Sequence, residues 1–185
     1  MQTLFSKTPL PYLGPELRPH FILSHFRIEG SALVAFRGPC EVVTEHLVDW
    51  EDRLQNDSIR AREMIHFIGE FFGITLKEGI WIQRLLVSEA ASFLLQRGIS
   101  VVREGDDLFV NRKKLSVSIV TASPVSVLLH LGINVDPEGA PVAATGLGTL
   151  LDGAGIEDFV EKMLQRFQSE FESVNRAAVK VRPVI

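Results

Sequence analysis

Two neighbouring stretches carry most of the side chains able to do chemistry. The first, GDDLFVNRKKLSVSIV (residues 105–120), holds the carboxylate of Asp107, the ammonium of Lys114 and the hydroxyls of Ser116 and Ser118. The second, SVLLHLGINV (126–135), holds the imidazole of His130 and the carboxamide of Asn134 on either side of Gly132. Side chains alternate between the faces of a strand. Lys114, Ser116 and Ser118 therefore share one face, and Leu115, Val117 and Ile119 share the other, the core face. In the second stretch His130, Gly132 and Asn134 share a face with Ser126 and Leu128. If the two pair with polar faces matched, Lys114 opposes Gly132 or Asn134, and Ser116 opposes His130 or Gly132. Such a surface can hydrogen-bond a polar or anionic ligand, and Gly132 leaves an opening in it. A solvated sheet face is the alternative reading of the same alternation. His130 is either an acid or base near neutral pH or a hydrogen-bonded sheet histidine.

Other candidates lie upstream. Arg37 can clamp a carboxylate or phosphate, or simply end a strand at the surface. Gly38 follows it in Arg37-Gly38-Pro39-Cys40, which reads as a turn. Cys40 reads as a half-buried turn cysteine. Glu41, Glu45, Asp49, Glu51 and Asp52 form an acidic stretch that could hold Mg²⁺ or serve as a solvated connector. His20, His25, His46 and His66 show no zinc-site spacing. Trp50 and Trp81 are expected as packing residues.

The elements that would position these groups follow from periodicity. Four prolines within residues 1–19 demand an extended or looped start. Pro19 is expected to open a short helix through Phe26. SALVAF (31–36) reads as a buried strand. From Asp57 to Gly73 the apolar positions Ala61, Met64, Ile65, Ile68, Phe71 and Phe72 recur at helical spacing. A second helix is expected over 82–96, short strands at 99–103 and 107–110 around a Gly105 turn, strands at 113–121 and 126–135, and a Gly/Ala-rich connection over 136–155. A final amphipathic helix covers 156–174. Helices standing apart from hairpin strands give an α+β class, with a mixed or mostly antiparallel sheet and helices packed on one side.

With 185 residues, 46% apolar and 23% charged, the chain suits a single domain spanning 1–185. Its net charge of −4 gives no general attraction to nucleic acid, and Arg112-Lys113-Lys114 is too small a basic patch to supply one. No apolar run approaches a membrane span. One cysteine excludes an internal disulfide framework and fits a cytoplasmic setting.

Residues 83–167 resemble the biotin and lipoate protein ligase superfamily. The pieces that carry the likeness are Asp106-Asp107-Leu108, KLSVSI with Lys114, LGINV (131–135), AATGLGTLL (143–151) and the helix after Ile156, in that order. Over nearly its full length the chain also resembles domain-of-unknown-function family 366, through FRGPC, GDDLFV, KLSVSI, SPVS and LGINV. The ligase resemblance implies a class II synthetase-type core over about 30–174. It implies a small carboxylic or acyl ligand, and ligation or acyl transfer to a lysine of an acceptor protein, with ATP and Mg²⁺ as cofactors. A homodimer stays open. Lys114 matches the catalytic lysine, Asp107 the motif aspartate, and Gly132 and Asn134 the pocket floor, and analogy with the superfamily's thioester transferases offers Cys40 as a nucleophile, although their cysteine does not sit at this position. Three features depart from the pattern. Arg37-Gly38-Pro39-Cys40 is a poor substitute for an arginine- and glycine-rich phosphate loop, since proline removes a backbone donor. Val117 stands where the lysine motif has glycine, and Asp106 adds a carboxylate. The alternative is a non-catalytic small-molecule-binding or assembly module that has lost the nucleotide loop.

Overall fold

A computed structural model describes residues 1–184. Its centre is a five-stranded mixed sheet in the order β1-β2-β3-β8-β7, formed by β1 (Gln2–Phe5), β2 (Ala32–Val42), β3 (Ile59–Phe71), β7 (Ser116–Ala122) and β8 (Val127–Asp136). Only β1 and β2 run parallel; the other neighbours are antiparallel. A second, three-stranded sheet joins β4 (Val102–Glu104), β5 (Asp107–Val110) and β6 (Lys113–Lys114).

The largest correction concerns the helix expected between Asp57 and Gly73, where Ile59–Phe71 form the central strand β3 instead. Both faces of β3 are covered. Ile65, Phe67 and Phe71 join the core beneath the long helices, while Met64 and Ile68 join a second core on the opposite face. From Met64 to Phe71 the strand is buried on both sides and mostly apolar, so its composition satisfies helical spacing as readily as alternation.

The long helices α3 (Leu76–Gln96) and α4 (Gly153–Lys180) pack on one face of the sheet. α3 begins six residues before the expected position, because Thr75 and Glu78 form a capping box at its start. α4 is capped by Asp152, whose side chain accepts from the Gly155 N–H. Its expected stripe is present: Ile156, Phe159, Val160, Met163, Leu164 and Phe167 are buried. The short helix α1 (Phe21–Phe26) and the proline-rich start lie on the opposite face. Pro19 does not open α1; His20 caps it in the left-handed conformation and its N–H donates to Glu70. A further short helix, α2 (Trp50–Gln55), follows a 3₁₀ turn at Thr44–His46. Trp50 and Trp81 are 70% and 66% exposed, so neither is the packing residue expected.

Arg37-Gly38-Pro39-Cys40 is not a turn. β2 runs through it with a bulge between Gly38 and Cys40, which accommodates the proline that lacks a donor. Gly38 is needed there, because a Cβ on it would lie 1.9 Å from the Leu10 carbonyl oxygen. The close approach lets residues 10–12 run along β2: the Leu10 and Tyr12 N–H groups donate to Arg37 and Pro39, and Glu41 N–H donates to Tyr12.

Candidate functional site

The β5–β6 hairpin turns through Asn111 and Arg112, both at positive φ (51° and 62°), and presents Lys114 beside the end of β8. Lys114 is gripped on three sides. It pairs with Phe109 across the hairpin, exchanges backbone hydrogen bonds with Ala143 and Thr145, and accepts from the Asn134 side chain at 3.4 Å. Its ammonium meets Asp107 at 2.8 Å, both groups roughly two-thirds buried.

Beyond this hairpin the expected alternation changes phase. Val117 pairs with Gly132 and Ile119 with His130, while Ser116 and Ser118 pair with Ile133 and Leu131 on the helix-facing side. The expected pairing of Ser116 with His130 or Gly132 is therefore wrong by one residue. Leu115 explains the shift. It is buried in the core, and its carbonyl accepts from Asn134 while the chain passes from the small sheet to the large one. Adding one residue at such a junction inverts every later side chain. Ser116 consequently leaves the site; its hydroxyl accepts from the buried Leu108 N–H.

The β8 face is as expected. His130 and Asn134 line a cavity of about 380 Å³, together with Lys114, Asp107, Ser118, Tyr12, Met64, Val117 and Ile119. Gly132 lies between them, and a Cβ there would press on His130 and Met64 at 3.2 Å. The other wall comes from Leu47–Asp49, Asp52 and 57–60, with Ala140–Val142 and Ala144 closing one side. Tyr12, Met64 and Asp57 had no site role in the sequence, whereas Asp49 and Asp52 belonged to the acidic stretch that could hold Mg²⁺. Tyr12 comes from the proline-rich start and Met64 from the strand read as a helix; only the acidic composition of 41–52 gave any hint.

Arg37 and Cys40 are not part of this cavity. Arg37 points to the helical side and pairs with Glu63 at 2.8 Å and Glu157 at 3.9 Å. Cys40 is fully buried in β2, not half-buried in a turn, and burial pushes its thiol up to about 12, with Glu16 adding to the effect. Such a thiol is no nucleophile at neutral pH. Gly38 serves through its backbone: its carbonyl oxygen lies 3.2 Å from His66 Nε2.

The charges in the cavity are mostly negative. Asp49, Asp52, Asp57, Asp106 and Asp107 line it, against Arg60 and Lys114. Asp106 is engaged by Gln83 and Ser118 through one oxygen and by Arg84 at 3.0 Å through the other. Arg60 is drawn to Glu41 at 3.0 Å. Burial raises the Asp107 carboxyl above its ordinary value despite the bond from Lys114. Asp52 is raised by burial and then by Asp49 and Asp57.

These groups do not fit a nucleoside triphosphate. The Arg37–Cys40 segment is a paired strand and offers no loop of N–H groups, and both cavity cations are already matched by carboxylates. Among the described residues no three His, Cys, Asp or Glu side chains gather as a metal ion requires. No described helix is long and apolar enough to cross a membrane.

Comparison with known proteins agrees with the architecture. The family described as "Domain of unknown function (DUF366)" matches residues 1–182. A solved structure from Pyrococcus horikoshi, described as a protein of unknown function, is 35% identical, with a TM-score of 0.92 over 100% of this chain and 99% of that one. Biotin protein ligase from Aquifex aeolicus in complex with biotin and ATP is 15% identical, with a TM-score of 0.55 over 92% of this chain and 70% of the other. Ta0514 from T. acidophilum, solved with bound lipoic acid, is 14% identical, with a TM-score of 0.56 over 91% of this chain and 84% of the other. At these identities the ligase likeness establishes a shared fold, the α+β core read from the sequence.

Proposed function

Because the chain belongs to the DUF366 family and has the fold of biotin and lipoate ligases, we propose that it is a small-molecule-binding module. It holds an acyl metabolite in the cavity beside Lys114. The observation that carries this reading is the placement of the Lys114 ammonium at a cavity floored by the apolar side chains of Met64, Val117 and Ile119. An aliphatic body lies over that floor, and an ammonium with three donors has hydrogens to spare for a carbonyl after one is given to Asp107. The excess of aspartates favours a neutral acyl group, such as an amide or ester, over a free carboxylate.

The original expectation of ATP-dependent ligation to a protein lysine is the enzymatic form of this reading. The module form is favoured because Arg37-Gly38-Pro39-Cys40, by its residues a poor substitute for a phosphate loop, is built into the sheet.

Thermal shift separates the two forms. ATP–Mg²⁺, biotin, lipoate, octanoate and octanamide are added singly. The module reading expects octanamide to raise Tm, octanoate to do so less, and ATP–Mg²⁺ to leave it unchanged; ligand linkage gives about 2.7 kcal/mol at a hundredfold excess over Kd. Lys114→Met should weaken octanamide about tenfold or more. Stabilisation by ATP–Mg²⁺ that survives in the presence of octanamide would restore the ligase reading.

A further inference from the structure

Two histidines meet at the cavity wall, and their hydrogen-bond partners together with their neutrality assign their protons. His66 Nε2 is 3.2 Å from the Gly38 carbonyl oxygen, and His66 Nδ1 is 3.1 Å from His130 Nε2. A carbonyl only accepts, so His66 Nε2 carries the hydrogen. In a neutral imidazole Nδ1 is then bare and accepts, so the hydrogen between the rings belongs to His130 Nε2. His130 Nδ1 is left with a lone pair. It makes no hydrogen bond among the described residues and is not sealed from solvent, and His130, 2% exposed, lines the cavity. Tyr12 stacks on the His130 ring at 3.8 Å and 7°, which fixes its plane. Both rings are buried, His130 keeping only its cavity edge, and burial holds both below the ordinary histidine value, so they are neutral near pH 7.

We propose that His130 Nδ1 is a preset hydrogen-bond acceptor that recognises an uncharged O–H or N–H donor on the ligand, away from the acyl end. This rests on the reading of the cavity given above and adds a second recognition point to it. A donor completes a chain running from ligand to His130, to His66, to the Gly38 carbonyl. An ether or ketone oxygen at the same place sets lone pair against lone pair. Asn134, whose side chain donates to the Lys114 carbonyl, lies four residues from His130 along β8, or about 13 Å between Cα atoms at the usual strand rise, so the two recognition points are set apart along the strand. The probes are therefore linear, with the acyl group at one end and the donor at the other.

The probes are 8-hydroxyoctanamide and its methyl ether, 8-methoxyoctanamide, in which a methyl group replaces the donor hydrogen. Nitrogen-15 NMR of the histidine rings in the wild-type protein reads the tautomer and the contact together. The expected result has three parts. Nε2 is protonated in both His66 and His130. The hydroxy compound shifts the His130 Nδ1 resonance. It also binds at least tenfold tighter than the ether, a preference that His130→Phe reduces to near unity. A protonated Nδ1 on His130, or equal binding of the two probes in the wild-type protein, overturns the proposal and leaves the Lys114 reading standing. Failure of both probes to perturb any cavity residue overturns the two together. The wild-type spectra decide the matter even if His130→Phe does not fold.

Discussion

Lowering the pH should destabilise the protein through His66. The imidazole is fully buried, touching Tyr12, Phe36, His130 and the Gly38 carbonyl. Burial lowers it from 6.5 to about 4, against the opposing pull of the Gly38 and Pro39 carbonyls. The unfolded chain takes up this proton near pH 6.5 and the folded chain only near pH 4. The stabilisation is thus complete above pH 6.5 and disappears as pH falls towards 4. Linkage makes the loss about 2 kcal/mol at pH 5 and about 3 kcal/mol at pH 4. His130, also held low by burial, adds a loss of the same sign. Asp52 and Asp107 act oppositely: their carboxyls are raised in the fold, so they favour the folded state as acid protonates them. Comparison with a His66→Gln variant isolates the imidazole. The assay is urea unfolding followed by far-ultraviolet circular dichroism, since both tryptophans are largely exposed and report poorly on unfolding. Between pH 7.5 and pH 5 the wild type should lose about 2 kcal/mol more than the variant. Parallel curves for the two proteins would refute the account of a neutral buried imidazole.

Gly38→Ala places a Cβ 1.9 Å from the Leu10 oxygen, a backbone atom that cannot yield without detaching residues 10–12. Urea unfolding should show a loss above about 3 kcal/mol, beyond the usual cost of overpacking. Gly79→Ala in α3 would set a methyl 2.4 Å from Val127 Cγ1 and 3.1 Å from Val120 Cγ1. Alanine's helix propensity offsets part of that strain, and a net loss of about 1–2 kcal/mol is expected in the same assay. Cys40 should resist a thiol-specific disulfide reagent at pH 8 in the folded protein and react fully in urea, because its buried thiol is pushed up to about 12. Rapid stoichiometric labelling of the native protein would contradict that placement.

Some of this was legible in the residues. The amphipathic stripe of α4, the Gly105 turn, the hairpin strands on either side of Ser123-Pro124 and the β8 face carrying His130, Gly132 and Asn134 are written in local periodicity and turn chemistry. The approach of Lys114 to Asn134 was expected from face matching, although the contact is made through the lysine carbonyl and β7 itself is out of phase. Periodicity could not tell β3 from a helix, because a central strand covered on both faces loses the alternation that would reveal it.

The sequence alone determined the α+β class, the final amphipathic helix and the candidacy of Lys114, His130 and Asn134, since each follows from residue types a few positions apart, while Asp107 entered through the ligase resemblance. Tertiary structure decided the rest. It turned Arg37 towards Glu63, buried Cys40, set the phase of β7 through Leu115, and laid Tyr12 over a histidine more than a hundred residues away. Those outcomes depend on which strand becomes central and which atoms a bulge brings together. Such long-range pairing energies leave no periodic trace in the chain that makes them.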